Sequence, residues 1–321
     1  MKKVIFYVFV ILIISCKEQK NKLRYLPDSN ANINHLTVVM PEKSWKGVLG
    51  NKTRSLLETP YEGLPFDEPQ FTLNYLPPEV FTGFARNSRN ILWFIKDSLA
   101  GFQLIEDLMA QPQFVAKVKG EDDDVQAHFL EENINLLKAV LTEKERKEKI
   151  RRIKKSSTKD RHLQDRFKIS LLYPTAYSTV KDTTNFIWIQ KEIPKGHMNL
   201  IAYSLSLSGL RGNIKKRIPE IRDSIGKTHI PGRLKGSYMI TEKAYRPFYY
   251  KTQKLGRLTY LTKGTWEVAN DFMAGPFINY MIKDTLRKRW MVIEGFVFAP
   301  ASNKRDQMFE LNTILDAVVF E

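Results

Sequence analysis

"FTLNYLPPEVFTGFARNSRNILWFIKD", residues 71–97, decides how this chain is read. It opens at Phe71 with alternating apolar and polar residues, breaks at Pro77-Pro78, and returns as a second strand around Trp93, the pattern of a β-hairpin. "FKISLLYPTAYSTVKDTTNFIWIQKE", residues 167–192, repeats the order, with Phe167, then Pro174, then Trp188. Phe and Trp stand 22 apart in the first stretch and 21 in the second. A further strand-like run follows each, at 113–120 and 198–207, and then a helical stretch. The repeat predicts an internally duplicated β-β-β-α unit, against the alternative that two unrelated hairpins look alike at this level.

Working outward, residues 35–155 form a first α+β half and 166–321 a second. The first starts with the strand "HLTVVM" and a helix around Trp45 to Glu58, and closes with a helix from about Asp124 to Lys155. Leu130, Ile134, Leu137 and Leu141 share one face of that helix, and Glu121-Asp122-Asp123-Asp124 suits its N-terminal dipole. In the second half, Ile218, Ile221 and Ile225 mark a helix that Gly226 should end, and a last helix spans roughly 304–320. Between them lie five strand-like runs rich in aromatic residues. The fold class expected is α+β, with mostly antiparallel sheets and packed helices.

The N-terminus reads as an address. Met1-Lys2-Lys3 followed by apolar Val4 to Ile14 has the layout of a signal peptide over residues 1–15. The apolar run spans roughly 16 Å as a helix, about half of a bilayer core. Ile13-Ile14-Ser15-Cys16 resembles the lipobox of bacterial lipoproteins. That resemblance implies cleavage before Cys16, diacylglyceryl transfer to its sulfur and N-acylation, commonly by palmitate. Residues 16–34 are then the lipidated N-terminus and a flexible tether. Lys17 replaces the aspartate that marks inner-membrane retention, which favours the outer membrane, on its periplasmic side or at the cell surface. Cys16 is the one cysteine, so a disulfide framework and a cysteine nucleophile are both excluded from the mature chain.

With 51 Lys and Arg against 35 Asp and Glu, the chain is strongly basic, and its partners should be anionic envelope components or other envelope proteins, with no nucleic acid. Hydrophobic residues at 43% are enough for a substantial core.

No Gly-x-Ser-x-Gly elbow, His-Glu-x-x-His, P-loop or dinucleotide fingerprint occurs, and no cofactor or metal is expected. His128 with Glu131 or Glu132 makes only half a metal site. Glu267 and Asp271 would share one face of a single strand, but about 13 Å apart, too far for paired carboxylate chemistry. The segment most like a site is "IRDSIGKTHIPGRLKGSYMITE", residues 221–242, with Arg222, Asp223 and Glu242 as candidate catalytic residues and Lys227, Arg233 and Lys235 as candidate anion contacts. A helix end followed by an irregular crossover explains the same residues. "YRPFYYKTQKLGRLTY", with Trp266 and Trp290 nearby, reads either as a glycan- or lipid-binding face or as an ordinary sheet core.

"RDSIGKTHIPG", "GSYMITE", "GTWEVANDFMAGPF" and "EGFVFAP" with Lys304-Arg305 behind it, joined by "RNILWF" and "EPQF" in the first half, resemble domain of unknown function 4837, a Bacteroidetes-type lipoprotein family. The resemblance covers most of residues 36–321. It implies a lipid-anchored envelope protein and no particular activity. The reading is therefore a non-catalytic binding or accessory lipoprotein, with an envelope enzyme acting on glycan or lipid through 221–242 as the alternative.

Overall fold

The computed structural model describes residues 25–321; the signal segment, Cys16 and residues 17–24 lie outside the described residues. The first half comprises β1 (His35–Val39), α1 (Glu42–Lys46), α2 (Val48–Leu57), β2 (Thr72–Leu76), β3 (Asn90–Lys96), β4 (Gly101–Glu106), β5 (Phe114–Gly120) and α3 (Asp123–Lys154). Its sheet runs β2-β1-β3-β5-β4.

The stretch at 71–97 is not a hairpin. β1 lies between β2 and β3 and is parallel to both, β3 is parallel to β5, and β4 is antiparallel to β5. Leu36, Val38 and Val39 of β1 are fully buried, whereas β2 has no fully buried residue. A strand apolar on both faces belongs inside a sheet and the wetter one at its edge. Leu92 and Phe94 of β3 face the cluster under α2 and α3, while Ile91 and Trp93 face the opposite one around Phe81. Along α3, Leu130, Ile134, Leu137 and Leu141 are all buried, and the Asp122 carboxylate accepts the Val125 N–H at 2.9 Å as its cap.

The second half opens with α4 (His162–Phe167), β6 (Ile169–Ser170), β7 (Ser178–Thr183), β8 (Phe186–Ile193), β9 (Gly196–Ser206) and α5 (Ile214–His229). It continues through β10 (Met239–Thr241), β11 (Phe248–Lys254), β12 (Arg257–Val268), β13 (Asp271–Asp284), β14 (Arg289–Phe298), α6 (Arg305–Asp316) and β15 (Val319–Phe320). The large sheet runs β10-β12-β13-β14-β9-β8-β7, with β11 also on β12, and every pairing in it is antiparallel. The protein is thus α+β with mostly antiparallel sheets. The duplication is not seen: one sheet has a parallel centre, the other has none, and Phe167 ends a helix where Phe71 precedes a strand.

Both faces of this sheet are covered. In β14, Met291, Ile293 and Val297 join the core beneath α6, whereas Trp290, Val292 and Phe296 join the core beneath α5. Helix α5 does not stop at Gly226 but continues to His229. A Cβ at Gly226 would lie 1.9 Å from the Met239 carbonyl oxygen, so glycine is there to let α5 lie against β10. The last helix is also shorter than the spacing predicts, giving way to β15, which pairs with β6.

Charged groups join the halves. The Glu68 carboxylate accepts the Lys304 and Arg305 N–H groups at 2.8 Å, so a first-half side chain caps α6. Residues 28–34, read as tether, run along the first half: Asp28 bridges Gln111, Asn30 bridges Ser88, and Ile33 and Asn34 are buried.

Candidate functional site

The segment 221–242 is the joint of the second half, and the structure separates its residues. Arg222 faces the sheet from α5 and is 2% exposed. Its guanidinium donates to both oxygens of Glu294 at 2.8 and 2.7 Å and to the Thr241 hydroxyl at 2.6 Å, and it lies 3.4 Å from the centre of the Phe277 ring. Asn279 donates to the same carboxylate at 2.7 Å. Arg222 is therefore closed into a core network.

Asp223 accepts the Thr241 N–H at 2.6 Å, which ties α5 to β10. Glu242 continues the pairing with β12 through its N–H to the Thr265 carbonyl. These three residues hold a helix to a sheet and make no acid-base constellation. Lys227 and Lys235 are exposed, Lys227 standing 5.8 Å from the Tyr238 ring, and the anion site expected of them with Arg233 is not assembled. Arg233 is already paired with both oxygens of Asp271, at 3.0 and 2.7 Å. That pair raises the Arg233 pKa through the hydrogen bond and charge of Asp271 and lowers that of Asp271.

Glu267 and Asp271 do not share a strand. Asp271 opens β13 across a tight turn in which Asn270 takes φ +65°, a conformation asparagine tolerates well. His128 pairs with Glu132 at 3.3 Å on the exposed face of α3. Among the described residues, no group of three or more His, Cys, Asp or Glu side chains is placed to hold a metal. Trp266 and Trp290 are buried at 3% and 5% exposure, so they are not the rings of an open binding face.

What the crossover does build is a pocket of about 310 Å³. The sheet supplies its floor through Trp188, Asn199, Trp266, Phe296 and Phe298, and the segment from Ile230 to Arg233, between α5 and β10, covers one side. Rings meet edge to face, with Trp266 and Phe296 centred 5.8 Å apart at 75°. Gly275, paired with Trp266, lets the indole and the neighbouring strand lie close: a Cβ there would lie 2.0 Å from the Val297 carbonyl oxygen and 3.1 Å from Trp266 Nε1.

Polar groups on this floor are few. Trp188 Nε1 donates to the Asn199 carbonyl at 2.9 Å, fixing that side chain. The Asn199 amide nitrogen reaches only long contacts, 3.5 Å to His197 O and 3.4 Å to Phe296 O. Trp266 Nε1 is buried and has no hydrogen-bond partner among the described residues. Leaving a buried donor unmatched costs about 1–3 kcal/mol, and this one is closed over Gly275, away from the pocket's open space. Burial against Phe186 at the end of α5 also lowers the pKa of neighbouring His229, with the Lys181 charge adding to it.

The arrangement defines an α+β protein with an aromatic pocket at the joint between a helix and an antiparallel sheet. Residues 156–317 match the family described as Domain of unknown function (DUF4837), and the chain belongs to it. Residues 29–154 match a second, Domain of unknown function (DUF8532), so the likeness seen along residues 36–321 divides between two families. No curated protein matches the chain in sequence. Among solved structures, the Saccharomyces cerevisiae Ran-binding protein Mog1p is similar at 13% identity and TM-score 0.32, over 48% of this chain and 90% of that one. A mutant of Mog1 gives 11% identity and TM-score 0.30 over the same shares. Scores this low carry no argument about fold or function.

The pocket escaped the sequence because its walls come from six strands and a crossover. One signal was present. Trp266 opposite Gly275 in "GTWEVANDFMAGPF" pairs the largest side chain with none, which seats an indole flat against the sheet where the pocket forms.

Proposed function

We propose that the protein is a lipid-anchored envelope binding protein, held at the outer membrane through Cys16, whose aromatic pocket receives a small apolar ligand. One observation carries the reading: a pocket of about 310 Å³ walled by the rings of Trp188, Trp266, Phe296 and Phe298. Ligand sites are mostly apolar cavities with a few placed polar groups, and this volume is near the lower end of their range of roughly 300–1,000 Å³. The basic surface supports the anchor reading, since Lys and Arg side chains are attracted to anionic headgroups. The enzyme alternative loses its support, because Arg222 is closed against Glu294 and Asp223 holds a backbone amide.

Met273 lines the pocket and is only partly buried, so Met273→Trp should fill the cavity. N-phenylnaphthylamine, an apolar dye that brightens out of water, should bind the wild-type chain saturably and the variant not at all. Equal binding to both, or none to either, counts against the pocket. Separately, Cys16→Ala should move the protein from the membrane to the soluble fraction.

A further inference from the structure

Where the chain joins the body limits which face can meet a membrane. From Pro27 onward it is fastened: Gln111 N–H donates to Pro27 O at 2.9 Å, Ser29 N–H to Gln111 O at 3.1 Å and Asn30 N–H to Asn87 O at 2.8 Å. Nine peptide steps lead from Cys16 to Tyr25. At no more than about 3.6 Å each, they reach roughly 32 Å. A folded body of about 300 residues is roughly 50 Å across, so Tyr25 and its surroundings stay on the side toward the anchor.

Two elements flank that junction. Asn30 lies against the helical turn Gly83–Asn87, and the next carbonyl, Ala31 O, accepts the Arg152 guanidinium at 2.9 Å. Arg89 N–H donates to Asn30 O and Phe114 N–H to Arg89 O, so the parallel strands β3 and β5 begin here while α3 ends here. One end of the first half therefore carries the turn, the start of the described chain and the last turn of α3.

Two kinds of exposed side chain gather on this end. Tyr25 is 88% exposed and Phe84, in the turn, 76%. From the end of α3 come Arg151, Arg152, Lys154 and Lys155, within the densest basic run of the sequence, Glu143 to His162. Cations at a helix C-terminus favour the helix without any partner, and Glu148 already takes Arg151 and Arg152 at 2.6 and 2.7 Å. Lys154 and Lys155 are different: both are exposed, and neither pairs with a carboxylate among the described residues. A single exposed ring is ordinary. Two rings with two unpaired lysines, where an acylated chain would join the body, match the headgroup layer of an anionic bilayer, in which aromatic rings sit at the interface and lysines are drawn to the surface charge.

We propose that this end of the first half, carrying Tyr25, Phe84, Lys154 and Lys155, is the face that rests on an anionic phospholipid bilayer. This builds on the anchor reading above and names the surface that the anchor presents. Without acyl chains the contact is weak and reversible; with them it sets how the body lies on the membrane.

The mature chain from residue 16 carrying Cys16→Ala has no anchor, so its partition onto vesicles reads the face alone. Phosphatidylglycerol vesicles should sediment it and phosphatidylcholine vesicles should not. Lys154→Gln with Lys155→Gln should weaken that partition about thirtyfold, the attraction of two lysines to such a surface. Lys43 and Lys96 are also exposed and stand at the opposite end of the first sheet, after β1 and at the end of β3. The same change there should leave partition nearly unchanged, because charges beyond about 8 Å are screened at physiological salt. In the same chain, a nitrobenzoxadiazole label on Phe84→Cys should brighten when phosphatidylglycerol vesicles are added. On Leu99→Cys, a position exposed to the same 76% but past the far end of β3, it should not.

No vesicle binding, or equal binding to both lipids, overturns the face. Equal losses from the two lysine pairs, or equal brightening at positions 84 and 99, overturn it too. Wild-type protein recovered from the soluble fraction of cells removes the anchor reading and this proposal with it, whereas the vesicle outcomes remove the face alone.

Discussion

Glu294 of β14 holds the guanidinium of Arg222 in a two-pronged grip, at 2.7 and 2.8 Å, with both side chains 1% exposed. The pair fastens α5 to the sheet, and the crossover from α5 into β10 frames the pocket. Removing one partner leaves a charge stranded in the core, so Glu294→Leu or Arg222→Met should each destabilise the protein by about 3–5 kcal/mol. Making both changes together should recover most of that loss, because two apolar groups then meet. Chemical denaturation of the two single variants and the double one measures the coupling. Additive losses would show that the pair does not act as a unit.

Glu145 on α3 should fix the path of the chain entering the first half. Its carboxylate is completely buried and receives the Asn34 N–H, the Arg89 guanidinium at 2.8 and 3.0 Å and the Asn90 amide at 2.6 Å. Glu145→Ala leaves these donors unmatched and should lower stability by about 3 kcal/mol or more. Amide hydrogen exchange over residues 28–34 should rise in the variant before exchange in α3 does. Exchange rising uniformly would assign Glu145 to the core alone.

His229, at the end of α5, gives the second half a pH dependence. Its ring stacks on Phe186 at 4.1 Å, and Nδ1 is buried without a partner among the described residues. Burial first and the Lys181 charge second hold its pKa below the ordinary 6.5. The unfolded chain then takes up the proton more readily, so the stability contributed by neutral His229 is complete above about pH 6.5 and falls away as the pH drops toward the folded value. Thermal melts of wild type and His229→Gln between about pH 7 and 5 should show a shallower slope in the variant. Parallel slopes would mean that other groups carry the dependence.

How much of this was written in the sequence depends on how local each feature is. The buried stripe of α3 follows from residues four and three apart, and it lies where that spacing puts it. The runs that become β12, β13 and β14 are also visible in the sequence, although their pairing is not. Nor is the place of β1: its partners lie tens of residues away, and hydrophobicity reports that it is buried without reporting between which strands. Arg222 and Asp223 misled for a related reason. A charged pair beside permissive glycines looks the same whether it faces a cleft or closes on a distant Glu294. The pocket is the extreme case, since Trp188, Asn199, Trp266 and Phe298 meet only after the whole sheet has assembled.

Whether the aromatic pocket holds a ligand decides the proposed function. Native mass spectrometry of the protein released from its own membranes tests this most directly, comparing wild type with Met273→Trp. One non-covalent adduct with the mass of a small apolar molecule, present on the wild type and missing from the variant, is the result predicted. A wild-type protein free of adduct, or the same adduct on both, would contradict it.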